Sequence, residues 1–520
     1  MQTSLYTDPC ARAEVPPGIT RRTFLKAAAG GGALLAGCET TTQEPPRTVP
    51  ASAAGSGALY ALPPTEPLRH LVKRTSFGVS AADWQRAQAL GADRWLAEQL
   101  APTSLADPTD ALVKERYPVT QSSRAEIPPK RADQTFIKEV ISQMRDAAIL
   151  RACYSPRQLY ELMVEFWSNH FNVLGSVLHV YKLLDDREVI RPHALGRFAD
   201  LLHASAKSPA MLIYLDNNSN TRKGPNENYA RELMELHTLG VNGGYTEDDV
   251  HEVARCFTGW TVNPDTLEFV FQAGNHDDEP KTVLGQAITA GGQGDAEQVL
   301  DLLAQHPSTT HFIATKLCRR FVADAPPVAL VARVAQVFTT TGGNVPSMLR
   351  AILTSAEFRA AAGAKLARPM EYVASCVRAV APDPARYYAD TTPSQALAVL
   401  GQSPFEWGPP NGYPDTAAFW MSTAGLIERW RFAASLAETR NNGQSHGGEL
   451  AGGAVTPTEI VDAVSARLLI AALRPDHRAA LITLAAGSGD ADDVLTPSQR
   501  QERAEIVAGA LLASPYYLVR

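Results

Sequence analysis

The chain has 520 residues, of which 45% are hydrophobic and 20% are charged, so its composition is that of a globular protein with enough apolar material for a large core. The net charge of −7 and an isoelectric point near 6.0 do not favour nucleic acid as a partner, and no basic run with interleaved aromatic residues occurs. After the N-terminal region there is no run of 18 or more apolar residues, so no membrane-spanning helix is predicted.

The N-terminal segment has the features of an export signal. The paired arginines Arg21 and Arg22 lie in TRRTFLK, and a short Gly/Ala-rich apolar run follows and ends in LAGC at Cys38. A positive region, a short apolar stretch and a small-residue cleavage site are the parts of a signal peptide. The twin arginines resemble a Tat signal, and LAGC resembles a lipobox whose cysteine is acylated. Residues 1–38 therefore predict export by the Tat route to the periplasm, where acylated Cys38 would anchor the protein to the inner or outer membrane.

Residues 39–64 are rich in Thr, Pro, Ala, Ser and Gly and are predicted to be a flexible tether. Helix signals dominate residues 65–520. The strongest combine a hydroxyl N-cap, proline at the first helical position and Glu or Gln at the third, and they occur at Ser155–Gln158, Thr456–Glu459 and Thr496–Gln499. Weaker versions occur at Ser80–Asp83 and Thr246–Asp249. The sequence predicts a mainly α fold: one large multi-helix domain with one small β-hairpin and long ordered loops.

A first amphipathic helix is predicted over Leu159–Val173, where apolar residues fill one broad arc of a helical wheel. The opposite arc holds Glu161, Glu165, Ser168 and Asn172, with Asn169 at its edge. His170 lies inside the apolar arc, between Phe166 and Met163. An imidazole in that position needs a hydrogen-bond partner.

The next loop carries oxygen ligands at the spacing of a calcium site. Asp216, Asn218, Asn220 and Glu227 occupy positions 1, 3, 5 and 12 of the pattern. Position 6 is Thr221 where glycine is usual, and only two of the four ligands are charged, so any affinity would be weak. The alternative is that Asn226 caps the following helix and Glu227 complements its dipole.

A second helix is predicted over Asn226–Gly240, with His237 near the middle of its apolar arc and Glu227, Arg231 and Glu235 spaced four apart as an ion-paired stripe. Either histidine could be a core residue bonded to a backbone carbonyl. A shared polar pocket is the other interpretation, because desolvation would keep both rings neutral, as a general base or metal ligand requires. These helices contain no HExxH or ExxH motif, so a zinc protease or di-iron site is not predicted.

Strand signals are few. Residues 267–271 and 281–285 are predicted to pair as one small hairpin around the HDDEP turn. Farther along, the Pro/Gly-rich segment 403–420 presents Trp407 and Tyr413 among turns. Aromatic residues on loops suit sugar stacking, but they also suit a loop that packs onto a helical body, which is the interpretation we favour. Trp260, Trp407 and Tyr413 are the candidate substrate-binding aromatic residues.

Four cysteines remain beyond the N-terminal segment: Cys153, Cys256, Cys318 and Cys376. They have no CxxC spacing, so zinc and redox motifs are unsupported. In the periplasm one or two disulfides could form, and buried free thiols are the alternative.

Six motifs carry a family resemblance. They are RHLVKRTSFG (69–78), FWSNHF (166–171), NENYARELMELHTLGVNGGYTEDDV (226–250), ARCFTGW (254–260), HDDEPKTVLG (276–285) and SPYYLVR (514–520). Over roughly residues 68–520 the chain resembles the bacterial "domain of unknown function 1800" family. The resemblance implies a predominantly helical, often exported protein with no assigned activity. It also implies a partner, because genes of this family often lie beside those of a second exported family that resembles sulfatases and alkaline phosphatases.

The polar residues of these motifs are the candidate site. The catalytic candidates are His170, Arg231, Glu232, His237, His276, Asp277 and Lys281. We expect the first helix, the second helix and the His276 turn to meet at one pocket, where Glu232 or His237 would act as a base and Arg231 or Lys281 would hold an anion.

Two functions from different classes are expected. The first is a hydrolase-type enzyme that acts on a polysaccharide or another envelope or nutrient polymer, together with the sulfatase-like exported partner. The second is a non-catalytic docking lipoprotein with Ca²⁺ as its candidate stabilising ion. A polar cleft that contains His170, Glu232 and His237 would favour the enzyme, and a flat apolar patch would favour the docking protein.

Overall fold

The protein is described from a computed structural model, which covers residues 62, 65–127, 129, 133–384, 393–441, 443–470 and 472–520. All of these residues belong to one compact unit, Ser56–Arg520. The predicted signal, with Arg21, Arg22 and Cys38, lies outside the described residues, as does the predicted tether apart from Leu62.

The architecture is mainly α, as predicted. The helices of the N-terminal half are α1 Pro67–Arg74, α2 Ala81–Leu90, α3 Ala92–Gln99, α4 Thr109–Arg116, α5 Gln134–Tyr154, α6 Gln158–His170, α7 Gly175–Asp185, α8 Arg191–His193, α9 Phe198–Ala206, α10 Pro209–Tyr214, α11 Glu227–Glu232 and α12 Glu247–Cys256. Two π-helical segments, Asp186–Ile190 and Leu233–Thr238, continue α7 and α11.

The C-terminal half continues in the same way. Its helices are α13 Gln293–Gln305, α14 Pro307–Phe321, α15 Val328–Thr341, α16 Val345–Leu353, α17 Ala356–Ala360, α18 Pro369–Val380, α19 Pro393–Val399, α20 Ala417–Trp420, α21 Thr423–Glu438, α22 His446–Ala451, α23 Pro457–Leu469, α24 Pro475–Ala486, α25 Pro497–Leu512 and α26 Pro515–Leu518. No helix in the described part of the chain is long and apolar enough to cross a membrane.

The strands pair differently from the prediction. β1 Trp260–Asn263 pairs with β2 Glu268–Phe271, and β3 Lys281–Val283 pairs with β4 Gln286–Ile288, both antiparallel. A third short pair joins β5 Arg440–Asn441 to β6 Gln444–Ser445. The expected pairing of 267–271 with 281–285 is therefore wrong. Each strand instead finds its partner across a short local connection, which costs less loop-closure entropy than the longer connection around the HDDEP turn.

Most helix starts follow the capping signals. Complete capping boxes form at Thr246, Thr456 and Thr496, and Ser80 accepts a hydrogen bond from the Asp83 backbone N–H. The exception is Ser155–Gln158, because α6 begins only at Gln158. There the Ser155 hydroxyl donates to Asp107 Oδ2 at 2.6 Å instead of capping the helix in the predicted way.

Two large apolar clusters form the interior. The first is built on helices from both halves and includes Trp167, Phe198 and Trp260, and the second is built mainly on α18 and α21–α25. Helix α6 lies between them, since its Met163 packs in the first cluster and its Leu162 in the second. The four cysteines are buried free thiols, so the free-thiol alternative is confirmed for them.

Candidate functional site

Helix α6 is buried on both of its faces, which sets the position of every polar group on it. Glu161 is 6% exposed, Ser168 7% and His170 1%. Buried polar groups need partners. Glu161 and Ser168 share one face of the helix, and His170 lies on the other. The polar contacts of α6 therefore fall into two sets, one around His170 and one on the opposite arc.

The first set joins His170, His237 and Lys316, and we call it the imidazole cluster. His170 Nε2 donates to the His237 carbonyl oxygen at 3.0 Å, and Lys316 Nζ donates to His170 Nδ1 at 2.8 Å. This pattern assigns the proton of the neutral His170 ring to Nε2. The two imidazole centroids are 6.1 Å apart. The two rings thus lie near each other, as expected, but neither lines the cavity described below, and His170 bonds a backbone carbonyl as in the core alternative. The sequence did not identify Lys316 on α14, which has no motif of its own.

Burial governs the charges in the imidazole cluster. It lowers the pKa of His170 well below the ordinary value and, with the nearby positive charge of Lys316, lowers the pKa of His237 to about 3. Burial also lowers the pKa of Lys316 to about 8. Both rings are therefore neutral at pH 7. His237 Nε2 has no hydrogen-bond partner in the described part of the protein.

The π-helical segment Leu233–Thr238 determines where His237 lies. Thr238 Oγ1 donates to the Leu233 carbonyl oxygen at 2.7 Å, five residues back, within a turn wider than that of an α-helix. A wider turn changes the direction of the side chains that follow it. The 3.6-residue periodicity used for the prediction cannot detect this change.

The second set of polar groups lines a cavity on the opposite arc of α6, which we call the α6 cavity. Its empty volume is about 580 Å³, including the part open to solvent. The lining residues are Phe77, Ala148, Ala152, Glu161, Val164, Glu165, Ser168, Asn169, Asn172, Arg191, Met370, Gln402, Pro404, Phe405 and Tyr413. The cavity thus combines the polar arc of α6 with an apolar and aromatic wall.

Ion pairs hold the two carboxylates of the α6 cavity. Arg191 contacts both oxygens of Glu161 at 3.0 and 2.9 Å, and Arg368 donates to Glu165 at 2.6 Å. Asn169 Nδ2 also donates to Glu165 at 2.8 Å. Ser168 Oγ is buried and has no hydrogen-bond partner among the described residues. Ser168 therefore differs from Glu161, Glu165 and Asn169 on the same wall, which all have hydrogen-bond partners.

The aromatic segment 403–420 closes the cavity by packing onto α6, which confirms the interpretation we favoured. Asn172 Nδ2 donates to the carbonyl oxygens of Trp407 and Pro409, each at 2.8 Å. Asn169 Oδ1 accepts from the Tyr413 backbone N–H at 3.3 Å. Tyr413 still lines the cavity, with the Trp407 ring 4.9 Å away.

We expect a Gly412→Ala substitution to release this segment. Gly412 has φ +69°, and a Cβ placed there would overlap the backbone of Asn169, so the methyl group is both strained and obstructed. The free energy of unfolding should fall by about 2 kcal/mol, and proteolysis near 403–420 should accelerate. Gly408→Ala is the control, because nothing lies within 4 Å of its Cβ position. Equal proteolysis of both variants would contradict the packing role of Gly412.

A third polar group, the arginine cluster, adjoins the other two. It consists of Arg320, Arg368 and Arg520 around Glu371. Arg368 also binds Glu165 of the cavity wall, which connects the arginine cluster to the α6 cavity. Asp415 lies near these arginines and near Lys316. A path of polar contacts therefore runs from the cavity to the arginine cluster, and the charge of Asp415 influences Lys316 of the imidazole cluster.

His276 does not join this path. Its Nδ1 is 2.8 Å from the Thr258 carbonyl oxygen and its Nε2 is 3.2 Å from Asp295 Oδ2, which Lys281 also binds at 2.8 Å. His276, Lys281 and Asp295 are all buried. This group ties the β-hairpins to the start of α13, so its contacts are separate from those of the imidazole cluster.

The remaining candidates also have other contacts. Arg231 pairs at the surface with Glu247 at 2.7 Å and Glu227 at 3.2 Å, and Asp277 pairs with Arg255 at 2.8 Å. Glu232 is buried. Trp260 is fully buried against the Phe257 and Phe269 rings, so it presents no face to a ligand.

The predicted calcium loop makes the contacts of its capping alternative. Asn226 is the N-cap of α11, since its Oδ1 accepts from the Asn228 N–H at 3.0 Å. The Asn220 side chain binds the Ala254 carbonyl oxygen and the Asn226 N–H, and Glu227 binds Arg231 and His251. Asp216 Oδ2 accepts from Asn228, and Asn218 lies in a short 3₁₀ turn. Within the described ranges no cluster of three or more His, Cys, Asp or Glu residues could hold a metal ion. Calcium binding here stays a prediction.

Comparison with known proteins gives one match. A family described as "Protein of unknown function (DUF1800)" matches residues 70–519, which include the α6 cavity, the imidazole cluster and all of the arginine cluster except Arg520. No curated protein and no solved structure matches the chain.

Proposed function

Because the chain belongs to the DUF1800 family, whose description assigns no activity, we propose a function from the geometry: the protein binds a polyhydroxylated ligand of the saccharide class in the α6 cavity. The cavity lies between a helix and a packed loop, a common position for small-ligand sites. Its polar groups are concentrated on one wall and its aromatic groups on the other. Such a site orients a ligand that has both kinds of surface.

The observation that carries this proposal is the Ser168 hydroxyl. It is buried beside two carboxylates and has no hydrogen-bond partner in the described chain. A buried hydroxyl without a partner costs about 1–3 kcal/mol, so a purely structural role would favour alanine at this position. A ligand hydroxyl in the cavity would supply the absent partner.

The two walls of the cavity match the two faces of a sugar ring. Phe405 and Tyr413 offer aromatic surface to the apolar face of a pyranose ring. The carboxylate of Glu165 and the amide of Gln402 offer acceptors and donors to ring hydroxyls. The aromatic surface together with the unpartnered Ser168 hydroxyl favours a ligand that has both apolar and hydroxyl-bearing faces, such as a saccharide.

Hydrolysis of the bound saccharide is the second candidate function. Glu161 and Glu165 lie one helical turn apart in the same cavity, and glycoside hydrolysis uses two carboxyl groups. Arginines already engage both carboxylates in ion pairs, however. The His170–Lys316 pair belongs to a different face of α6 and does not line the cavity. The geometry therefore supports binding better than catalysis.

The cellular setting is part of the proposal and rests on the sequence. The twin arginines Arg21 and Arg22 and the lipobox cysteine Cys38 support Tat export and a lipid anchor in the periplasm. The family resemblance supports a sulfatase-like exported partner that would act on the same polymer. A binding lipoprotein beside such an enzyme would hold the polymer at the membrane.

Ser168→Ala tests the binding site. We expect it to leave the free energy of unfolding unchanged or slightly higher, because it removes an unsatisfied hydroxyl, and to weaken saccharide binding about tenfold. Isothermal titration calorimetry with maltotriose, cellotriose and chitotriose measures the affinity, and urea denaturation measures the stability. Ser465→Ala is the control: that hydroxyl is bonded to the Val461 carbonyl oxygen at 2.6 Å, and Ser465 does not line the cavity.

Two results would contradict the proposal. One is that none of the three saccharides binds the wild-type protein. The other is that Ser168→Ala destabilises the fold by more than about 1 kcal/mol without changing affinity, which would show a structural role for the hydroxyl. Release of new reducing ends by the wild type, lost in Glu161→Gln, would instead establish the hydrolase.

A further inference from the structure

The outward side of helix α21 (Thr423–Glu438) has an apolar character that a solvent-exposed face rarely shows. The inward side already buries a complete apolar stripe, formed by Phe432, Ala433, Leu436 and Ala437. On the outside, Ala424, Ile427, Trp430 and Ala434 are exposed and recur at helical spacing. The helix is thus apolar on two sides, although the described part of the protein covers only one of them.

Phe419 in α20 and Met421, which lies just before α21, are exposed apolar residues close to it in sequence. Phe419 is 49% exposed, Met421 45%, Ile427 40% and Trp430 53%. We call these four residues the 419–430 face. The other exposed large apolar residues in the described part of the chain are all aliphatic: Val177, Val241, Val328, Val399, Leu484 and Val494. Single exposed residues of that kind are ordinary, but a concentration that includes a phenylalanine and a tryptophan indicates an interaction surface.

The chemistry of the 419–430 face fits the headgroup region of a bilayer. Tryptophan and phenylalanine prefer that region, where a ring can enter the acyl boundary. Arg431 follows Trp430 directly, and its side chain is 73% exposed, so it can contact lipid phosphates. Its pairing with Glu428 at 2.7 Å lies along the helix and leaves the apolar residues uncovered.

The N-terminal end of the described chain adds a second, independent observation. Leu62 packs against the same apolar cluster as Leu426 of α21 and Ala417 of α20. Leu62 follows Cys38 by 24 residues, and if the tether is flexible, as its composition predicts, a segment of that length has a root-mean-square span of roughly 25–30 Å. An anchor at Cys38 would therefore keep the second apolar cluster, against which α21 also packs, within reach of the bilayer.

We propose that the 419–430 face rests on the lipid surface to which acylated Cys38 ties the protein. The inference depends on the lipid anchor of the proposed function for its biological setting, although contact between the face and lipid can be measured without the anchor. Two weak attachments, an acyl group and an apolar face, together would hold the protein in one orientation. The orientation would be fixed by α21.

The experiment uses the compact unit Ser56–Arg520, which lacks Cys38. It is sedimented with vesicles of phosphatidylethanolamine and phosphatidylglycerol, and the bound fraction gives a partition coefficient. We expect Ile427→Gln/Trp430→Gln to lower this coefficient at least about tenfold. Val328→Gln/Leu484→Gln removes two exposed apolar side chains elsewhere and should leave the coefficient unchanged. Thermal melts check that both double variants are folded.

Three results would overturn the proposal. These are no sedimentation of the wild-type unit, the same loss in both double variants, and a dimer in solution that Ile427→Gln/Trp430→Gln dissociates without any effect of lipid. The anchor is tested separately by incorporation of labelled palmitate into the full-length wild type and its Cys38→Ser variant. If neither is labelled, the anchor is wrong, and the vesicle result still decides on the 419–430 face.

Discussion

Glu371→Gln is expected to lower the free energy of unfolding by about 3–5 kcal/mol, because it removes the carboxylate at the centre of three arginines. Glu371 is 2% exposed and binds Arg320 and Arg520 directly. It also accepts a hydrogen bond from the Arg368 backbone N–H at 2.9 Å. The neutral amide would remove the ion pair of Arg520 and leave Arg320 and Arg368 with fewer carboxylate partners, chiefly Glu165. Guanidinium denaturation at pH 7, followed by tryptophan fluorescence, measures the difference.

Glu357→Gln is the matched control for this prediction. Glu357 also lies on a helix and binds an arginine, Arg333, at 2.8 Å, but that arginine is 54% exposed. An exposed pair contributes about 1 kcal/mol or less, so this variant should change little. A loss smaller than about 1 kcal/mol in Glu371→Gln would show that the arginine cluster does not depend on its carboxylate.

The stabilisation from Glu371 also has a defined dependence on pH. Burial alone would raise its pKa, but the charges of Arg320, Arg520 and Arg368 hold the pKa well below the ordinary value. A carboxyl whose folded pKa is depressed stabilises fully above its unfolded pKa, near 4.3, and loses this contribution as the pH falls through the folded pKa. The difference between wild type and Glu371→Gln should therefore stay constant from pH 7 to about pH 5.

Lowering the pH from 7 to 5 is expected to destabilise the protein through the imidazole cluster, by about 2 kcal/mol from His237 alone. Burial, with the charge of Lys316, lowers the pKa of His237 to about 3 in the folded protein. In the unfolded chain this histidine has a pKa near 6.5. Between about pH 6.5 and pH 3, the unfolded chain therefore binds one proton more than the folded protein. Stability is thus lost as the pH falls below about 6.5. His170, whose pKa is also depressed, acts in the same direction.

His237→Phe isolates this contribution. The His237 ring lies 5.1 Å from that of Phe171, so a phenylalanine at this position would have an aromatic neighbour. Between pH 7 and pH 5 the free energy of unfolding of the variant should fall by about 2 kcal/mol less than that of the wild type. His251→Phe, at an exposed histidine, should follow the wild type. Urea denaturation at each pH gives the free energies. Parallel curves for wild type and His237→Phe would contradict the buried, neutral state of His237.

These results would also separate structure from function in this protein. The arginine cluster and the imidazole cluster connect helices from distant parts of the chain, and their expected effects are on stability. The α6 cavity is expected to affect ligand affinity, with little effect on stability from Ser168. If Ser168→Ala changes only the affinity and Glu371→Gln changes only the stability, the binding site and the buried ion pairs are distinct. The ion pairs would then support the fold that holds the binding site.

Local pattern predicted a large part of the fold. The periodicity around His170 predicted α6 with its apolar arc, and the hydroxyl–Pro–Glu or Gln pattern located the starts of α23 and α25 at Thr456 and Thr496. These features depend on contacts within a few residues, so they can be read without knowing the rest of the chain. Strand pairing failed because the choice among partners depends on turns and on what covers each strand.

The candidate site was predictable only in part. The proximity of His170 and His237 was expected, but the shared pocket stays a prediction, since His170 bonds the His237 carbonyl oxygen and neither ring lines the α6 cavity. The expected convergence with the His276 turn did not occur, since Asp295 and Thr258 satisfy that ring elsewhere. Lys316 was missed because a lysine on an ordinary helix has no distinguishing pattern.

The sequence by itself determined the helices, their caps, the family resemblance and the two histidines that prefer burial, since each follows from residue type and spacing along one segment. Only the tertiary structure decided that both faces of α6 are covered, so that Ser168 and Glu165 line a cavity while His170 faces Lys316. That outcome depends on which distant segments pack against the helix. The packing of distant segments depends on how much apolar surface is buried and which charges are paired over the whole chain. The sequence of a single segment does not contain that information.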